Sequence, residues 1–261
     1  MVHRSLSRRA CIAALSLAAA LAGRAHADNG APATIARVKG SIVAVGTFER
    51  LRNPQFSFSG TGFAVGDGLK VATNEHVLPK ELAAERSETL AVAVPSAGGK
   101  VDIRPARKIA ADTAHDLALL AIQGTPLTAL RLGDSARVRE GEAYLFTGFP
   151  IGTVLGLHPV THRAMIAALT PIVIPAARAD KLDARAVRRL AAGAFPVFQL
   201  DATAYPGNSG SPVYDSASGE VIGIVNSVFV KGTKESALTS PSGITYAIPA
   251  QQLKELLDRS R

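Results

Sequence analysis

The chain has 261 residues, with 29 Lys and Arg against 21 Asp and Glu, a formal net charge of +8, one cysteine and no tryptophan. A single cysteine excludes a disulfide framework. With no zinc-finger spacing and no aromatic-basic platform, the basicity does not describe a nucleic-acid module. Much of that charge is local: Arg4, Arg8, Arg9 and Arg24 all precede residue 28, and without them 25 basic residues face 21 acidic ones, a net +4.

Those arginines belong to a leader. Arg4, Arg8 and Arg9 are followed by an apolar run from Ala10 to Ala22 and then by Ala25-His26-Ala27, with small residues at the two positions a signal peptidase requires. Residues 1–27 therefore read as a secretory signal cleaved after Ala27, and the run is short for a membrane span. Ser7-Arg8-Arg9-Ala10-Cys11-Ile12 loosely resembles a twin-arginine signal, but general secretion is the preferred reading. Cys11 leaves with the signal, so the remainder from Asp28 is expected to have no disulfide and no thiol chemistry; no membrane partner is expected once the signal is cleaved.

The remainder is β-rich. Short apolar runs over 41–48, 60–65, 70–73, 90–94, 117–122, 143–147, 197–200, 213–214, 221–230 and 244–248 are separated by glycine and proline turns, the pattern of barrels. Gly66-Asp67-Gly68 reads as a hairpin turn between two of them. Two helices stand out. One, over 180–190, puts Leu182, Ala186, Val187 and Leu190 on one face, with acids first, arginines last and Gly193 as a stop; it reads as a surface helix in an insertion spanning 171–194. The other, over about 250–259, should pack Leu253, Leu256 and Leu257 on the second barrel.

Three polar sites interrupt the apolar runs. Thr73-Asn74-Glu75-His76-Val77 ends a strand at His76, on a rigid support. Asp112-Thr113-Ala114-His115-Asp116 leads into the apolar run Leu117 to Ile122, so Asp116 lies at the mouth of a buried strand and needs a partner. Asp112 and His115 compete with it, but the apolar run starts directly after Asp116, and His115 should point to the other side of the same strand. The third site is Pro206-Gly207-Asn208-Ser209-Gly210-Ser211-Pro212, a serine on a tight glycine-flanked turn. A serine hydroxyl needs a base, a group that orients the base and donors for an oxyanion. His76, Asp116 and the amides of Gly207 and Ser209 supply these roles. His158 and His162 have no carboxylate or cysteine beside them and read as loop or barrel residues rather than metal ligands.

Chain order selects among architectures that share this chemistry. No histidine follows Ser209, which removes the Ser…Asp…His order, and Asp67 ahead of His76 is taken up by a turn. His76, Asp116, Ser209 remains. These blocks, with Gly148-Phe149-Pro150-Ile151-Gly152 and Gly243-Ile244-Thr245-Tyr246-Ala247-Ile248-Pro249, resemble bacterial trypsin-like serine proteases of the HtrA/Deg type over roughly residues 35–258. The resemblance implies an all-β fold of two six-stranded antiparallel β-barrels, one over about 35–135 and one over about 136–249, with a C-terminal helix over about 250–260. Ser211 stands where the family usually has glycine, and the PDZ domain that full HtrA proteins append is not expected within residues 1–261.

By the same resemblance, the expected activity is that of a periplasmic or secreted serine endopeptidase. It would act on extended polypeptide segments laid against Ser227 and Val228, without cofactor or metal, after small or medium aliphatic residues. Thr203 falls at the floor of the specificity pocket, where no acid awaits Lys or Arg. The stretch after Asp28 lacks the aromatic anchor that trimerises many relatives, which favours a monomer. The alternative is a latent or non-catalytic protein on the same fold that acts as a binding module or needs activation.

Overall fold

The computed structural model describes residues 30–96, 100–152, 156–172, 195–226 and 243–260. Twelve strands close into two antiparallel barrels. The first contains β1 (Ile42–Phe48), β2 (Phe56–Val65), β3 (Lys70–Asn74), β4 (Thr89–Pro95), β5 (Val101–Asp112) and β6 (Leu117–Ile122), in spatial order β1-β2-β3-β6-β5-β4. The second contains β7 (Ala143–Gly148), β8 (Val160–Ile172), β9 (Phe195–Asp201), β10 (Pro212–Tyr214), β11 (Val221–Asn226) and β12 (Ile244–Pro249), in order β10-β11-β12-β9-β8-β7. The all-β, two-barrel expectation holds, and a C-terminal helix, Ala250–Arg259, follows β12 directly.

The strands read as continuous apolar runs because most are buried on both faces. In β1, Val43 and Val45 fill the first barrel, whereas Ile42 and Ala44 point into a layer shared with the second. β6 repeats the alternation, with Leu117 and Leu119 in the shared layer and Ala118, Leu120 and Ile122 inside the barrel. In β11 a bulge opposite β10 changes the parity, so Ile222 and Val225 fill the second barrel while Val221 and Ile224 join the shared layer. The hairpin at Gly66 to Gly68 forms as expected: both glycines have positive φ, and Gly68 N–H donates to Val65 O at 3.1 Å.

Two strands are absent from the sequence reading. β5 is largely solvent-facing, carries Arg104, Arg107 and Lys108 and contains Pro105, so no apolar run announces it. β8 alternates exposed Arg163, Met165 and Leu169 with buried Ala164 and Ile166 and is interrupted by a bulge near Ala168. A short helix, Ala31–Lys39, also goes unannounced; it docks on the β10–β11 hairpin through Thr34 Oγ1–H to Ala217 O at 3.1 Å. The C-terminal helix corrects a second expectation. Leu253 and Leu256 enter the layer between the barrels rather than the second barrel alone, and Arg259 reaches Asp112 of β5 at 3.0 Å. The helix anticipated over 180–190 lies outside the described residues.

Candidate active site

Asp116 is the most tightly determined residue of the site. It precedes β6 with φ of 56°, in the left-handed region that aspartate tolerates better than most residues. This conformation turns its carbonyl and its carboxylate toward the same segment of β3 and the one-turn helix Glu75–Val77. Its carbonyl accepts from Glu75 N–H at 3.0 Å and from Asn74 Nδ2 at 3.1 Å. Its Oδ1 accepts from His76 N–H at 2.9 Å, and its Oδ2 lies 2.5 Å from His76 Nδ1. Asn226, at the end of β11, donates from Nδ2 to Oδ2 at 2.8 Å.

The carboxylate is 1% exposed, while the imidazole side chain is 21% exposed. A buried carboxylate with three donors is satisfied where it stands. With Nδ1–H donated to Oδ2, the other ring nitrogen, Nε2, carries the lone pair, which is the tautomer a proton acceptor needs.

Ser209 lies on a turn fastened from both barrels. Thr61 N–H of β2 donates to Ser209 O at 2.9 Å, and Gly210 N–H donates to Val225 O of β11 at 3.0 Å. Val225 and Asn226 are consecutive, so one strand end holds the serine turn and the carboxylate of Asp116. Val77, next to His76, packs against Gly60, where a Cβ would lie 3.1 Å from Ser209 O. These contacts bring His76, Asp116 and the Ser209 turn together at the junction of the two barrels.

Gly207 and Gly210 have φ of 103° and 87°. A Cβ on Gly207 would drive into Phe149 O, and one on Gly210 into Thr61 O and to 2.6 Å from Thr73 Oγ1. Among the described residues the Gly207 N–H meets no acceptor. Ser211 is fully buried, and its hydroxyl occupies the space left by the missing side chain of Gly148. The serine found where the family usually has glycine is thus accommodated by a glycine across the fold.

Thr203 is half-buried in the segment from β9 to the turn. Thr245 of β12 brackets it, donating from Oγ1 to Ala202 O at 2.7 Å and accepting from Ala204 N–H at 3.1 Å. Ser227 and Val228 lie outside the described residues. His115 departs from expectation: it is in the turn before β6, not on the strand. Its Nδ1 is 2.9 Å from Asp112 Oδ2 and its ring meets Phe195 edge-on at 4.8 Å. Burial raises the Asp112 carboxyl, but the side-chain and backbone hydrogen bonds from His115 outweigh it and hold the group below its usual range. His162 is a barrel residue on β8, stacked on Phe146 at 4.8 Å, and burial pushes its imidazole pKa down.

Thr61, Asn74, Asn226 and Thr245 were not singled out from the sequence as supports of the site. A signal for one of them exists: Asn226 ends an otherwise apolar buried strand, and a fully buried carboxamide there requires a partner.

The fold and this arrangement define a class. Residues 60–224 match the family model described as a trypsin-like peptidase domain, and the chain belongs to that family. It is 31% identical over 207 residues to a probable periplasmic serine endoprotease, DegP-like, of Brucella suis, covering 77% of this chain and 32% of the relative. It is 32% identical over 203 residues to the mitochondrial serine protease HTRA2 of Bos taurus, covering 77% of this chain and 36% of that protein. The chain thus spans about a third of the length of the curated relatives it matches. A solved structure of the HtrA-type protease AlgW with a tripeptide superposes with a TM-score of 0.58 at 24% identity, over 86% of this chain and 61% of that one, a likeness of fold.

Proposed function

We propose that the protein is a serine endopeptidase in which Ser209 attacks the peptide carbonyl, His76 takes and later returns the proton, and Asp116 holds the imidazole tautomer. The observation that carries this reading is the buried Asp116 carboxylate, bound at once by His76 Nδ1 and by Asn226, the residue after the one that fastens the Ser209 turn. In the acylation step the Ser209 Oγ–carbonyl carbon bond forms as the Oγ proton passes to His76 Nε2. The carbon–nitrogen bond then breaks as that proton goes to the leaving amine. The amides of Gly207 and Ser209 are the proposed oxyanion donors; positive φ at Gly207 and its unaccepted N–H support the first.

The proposed substrates are extended polypeptide segments, held by backbone hydrogen bonds with Ser227 and Val228 as the proposed contacts. Thr203 at the pocket floor supports a preference for small or medium aliphatic residues over Lys or Arg. Residues 1–27 are a secretory signal in this reading, followed by a peptidase domain over 28–261 that acts as a monomer in a bacterial periplasm or outside the cell. The relatives named as periplasmic endoproteases support that location.

The test is labelling with a fluorophosphonate probe beside casein digestion, for the wild type and Ser209→Ala. Loss of the nucleophile should remove roughly six orders of magnitude of kcat. Casein digestion without cleavage of Arg-amide reporters supports the pocket assignment, and efficient cleavage after Arg refutes it. A folded wild-type protein that takes no probe would support a latent or binding-module role instead.

A further inference from the structure

We infer that Thr61 of the first barrel is a positioning residue for the oxyanion-binding turn of the second, an inference that rests on the peptidase reading above. Thr61 is fully buried, and each of its polar groups has an assigned partner. Its N–H donates to Ser209 O at 2.9 Å and its carbonyl accepts from Thr73 Oγ1 at 2.7 Å. Its hydroxyl donates to Gly207 O at 2.7 Å and accepts from Phe149 N–H at 3.1 Å. The side chain therefore ties the residue proposed to supply an oxyanion N–H to the residue that follows β7, while the main-chain carbonyl of the same threonine holds the strand that leads to His76.

The geometry explains why such a tie is needed. Two peptide planes meet at Gly207, a residue without a Cβ and with φ of 103°, so its torsions offer little resistance to rotation. The plane before it is held by Ile151 N–H, which donates to Pro206 O at 2.8 Å. In a trans peptide the N–H points opposite to the carbonyl, so fixing Pro206 O fixes the direction of Gly207 N–H. The plane after it is held by the Thr61 hydroxyl on Gly207 O and by Asn208 N–H on Tyr205 O at 3.0 Å. That plane carries the backbone toward the Ser209 amide. Without the hydroxyl, Gly207 O loses its donor and Phe149 N–H its acceptor, and Phe149 is two residues before the Ile151 that fixes the other plane. Both planes loosen together.

The expected consequence is a defect in the transition state and not in substrate binding. Removing an oxyanion donor outright costs roughly 10²–10³ in kcat, so loosening it through Thr61→Val should cost roughly ten- to a hundred-fold. KM should stay within about twofold, since substrate ground-state contacts are untouched. Affinity for a peptide boronate, which forms a tetrahedral adduct on the serine, should fall in parallel with kcat. Thr61→Ser keeps the hydroxyl and should restore most of the loss.

The experiment measures kcat, KM and boronate inhibition for the wild type, Thr61→Val and Thr61→Ser, well below each melting temperature, with Ser209→Ala alongside. If the valine variant does not fold, Thr61→Ala is read in its place. A kcat loss with unchanged KM, weakened boronate binding and rescue by serine supports the inference. A valine variant within twofold of wild-type kcat overturns it, as does an equal loss in the valine and serine variants. Those results leave the peptidase reading standing if Ser209→Ala is inactive. Undiminished casein digestion by Ser209→Ala would overturn both.

Discussion

Asp116→Asn isolates the proposed role of the carboxylate, because the substitution keeps the shape of the side chain and removes only charge and one acceptor. The carboxamide has two orientations. If its oxygen replaces Oδ2, it satisfies His76 Nδ1–H and Asn226, but its NH2 then opposes the backbone N–H of His76, which Oδ1 now accepts at 2.9 Å. That N–H cannot turn away, and opposing two buried donors costs about 1–3 kcal/mol. If the oxygen instead replaces Oδ1, the backbone N–H is satisfied and the NH2 faces His76 Nδ1 and Asn226. Both neighbours can adapt: the imidazole shifts its proton to Nε2, and the Asn226 carboxamide turns its oxygen inward.

The second orientation therefore wins, and it leaves His76 with a proton where the base needs a lone pair. The expected loss in kcat is about 10⁴-fold, or about 5 kcal/mol of transition-state stabilisation. Folding stability should change by about 1–3 kcal/mol, since the His76 backbone N–H keeps its acceptor and only the Asn226 carboxamide must turn. The assay pairs kcat on a fluorogenic casein or peptide substrate with a urea melt. Activity within tenfold of wild type, in a variant that melts normally, would refute the assignment of Asp116 as the residue that sets the His76 tautomer.

Three further outcomes are expected. Gly210→Ala combines a φ of 87° with a Cβ driven into Thr61 O. The backbone conformation alone costs about 1–2 kcal/mol, and fluorophosphonate labelling should fall more steeply than the melting temperature because the displaced residue adjoins Ser209. Glu88 accepts from Thr47 Oγ1 at 2.6 Å, from Ala83 N–H at 3.0 Å and from Arg52 at 2.9 Å, and the Thr47 and Ala83 bonds above all lower its pKa to about 2. A depressed carboxyl pKa stabilises the fold above the unfolded value and loses that contribution as pH falls, here between about 4.5 and about 2. Urea melts across that window should therefore show a shallower pH dependence in Glu88→Gln than in the wild type; identical slopes would remove Glu88 from the account. Thr203→Asp should create cleavage of Arg-amide reporters, and its failure in a variant that still digests casein would show that Thr203 is not the pocket floor.

The sequence by itself determined most of the strands and brought forward the candidate residues. His76 and Asp116 stand out because each is a polar residue at the end of an apolar run, and Ser209 because it sits on a glycine-flanked turn; their order along the chain is compatible with the two-barrel architecture that the structure shows. Strands such as β6 were legible because burial on both faces leaves an unbroken apolar run. The same physics hid β5, whose outer face meets water and carries Arg104, Arg107 and Lys108, and β8, whose exposed face carries Arg163, Met165 and Leu169 and whose alternation a bulge interrupts.

Tertiary structure alone decided what holds the site in place. Asp116 adopts a left-handed conformation, which aspartate tolerates but does not require, because its carbonyl and carboxylate are both bound to residues 74–76. Asn226 lies 110 positions from Asp116 and Thr61 lies 146 from Gly207. Ser211 fits because a glycine 63 positions away, Gly148, leaves it room. Local sequence sets the preferences of each segment. Hydrogen-bond satisfaction between segments far apart in the chain depends on barrel closure and on how the barrels pack, and no short window contains it.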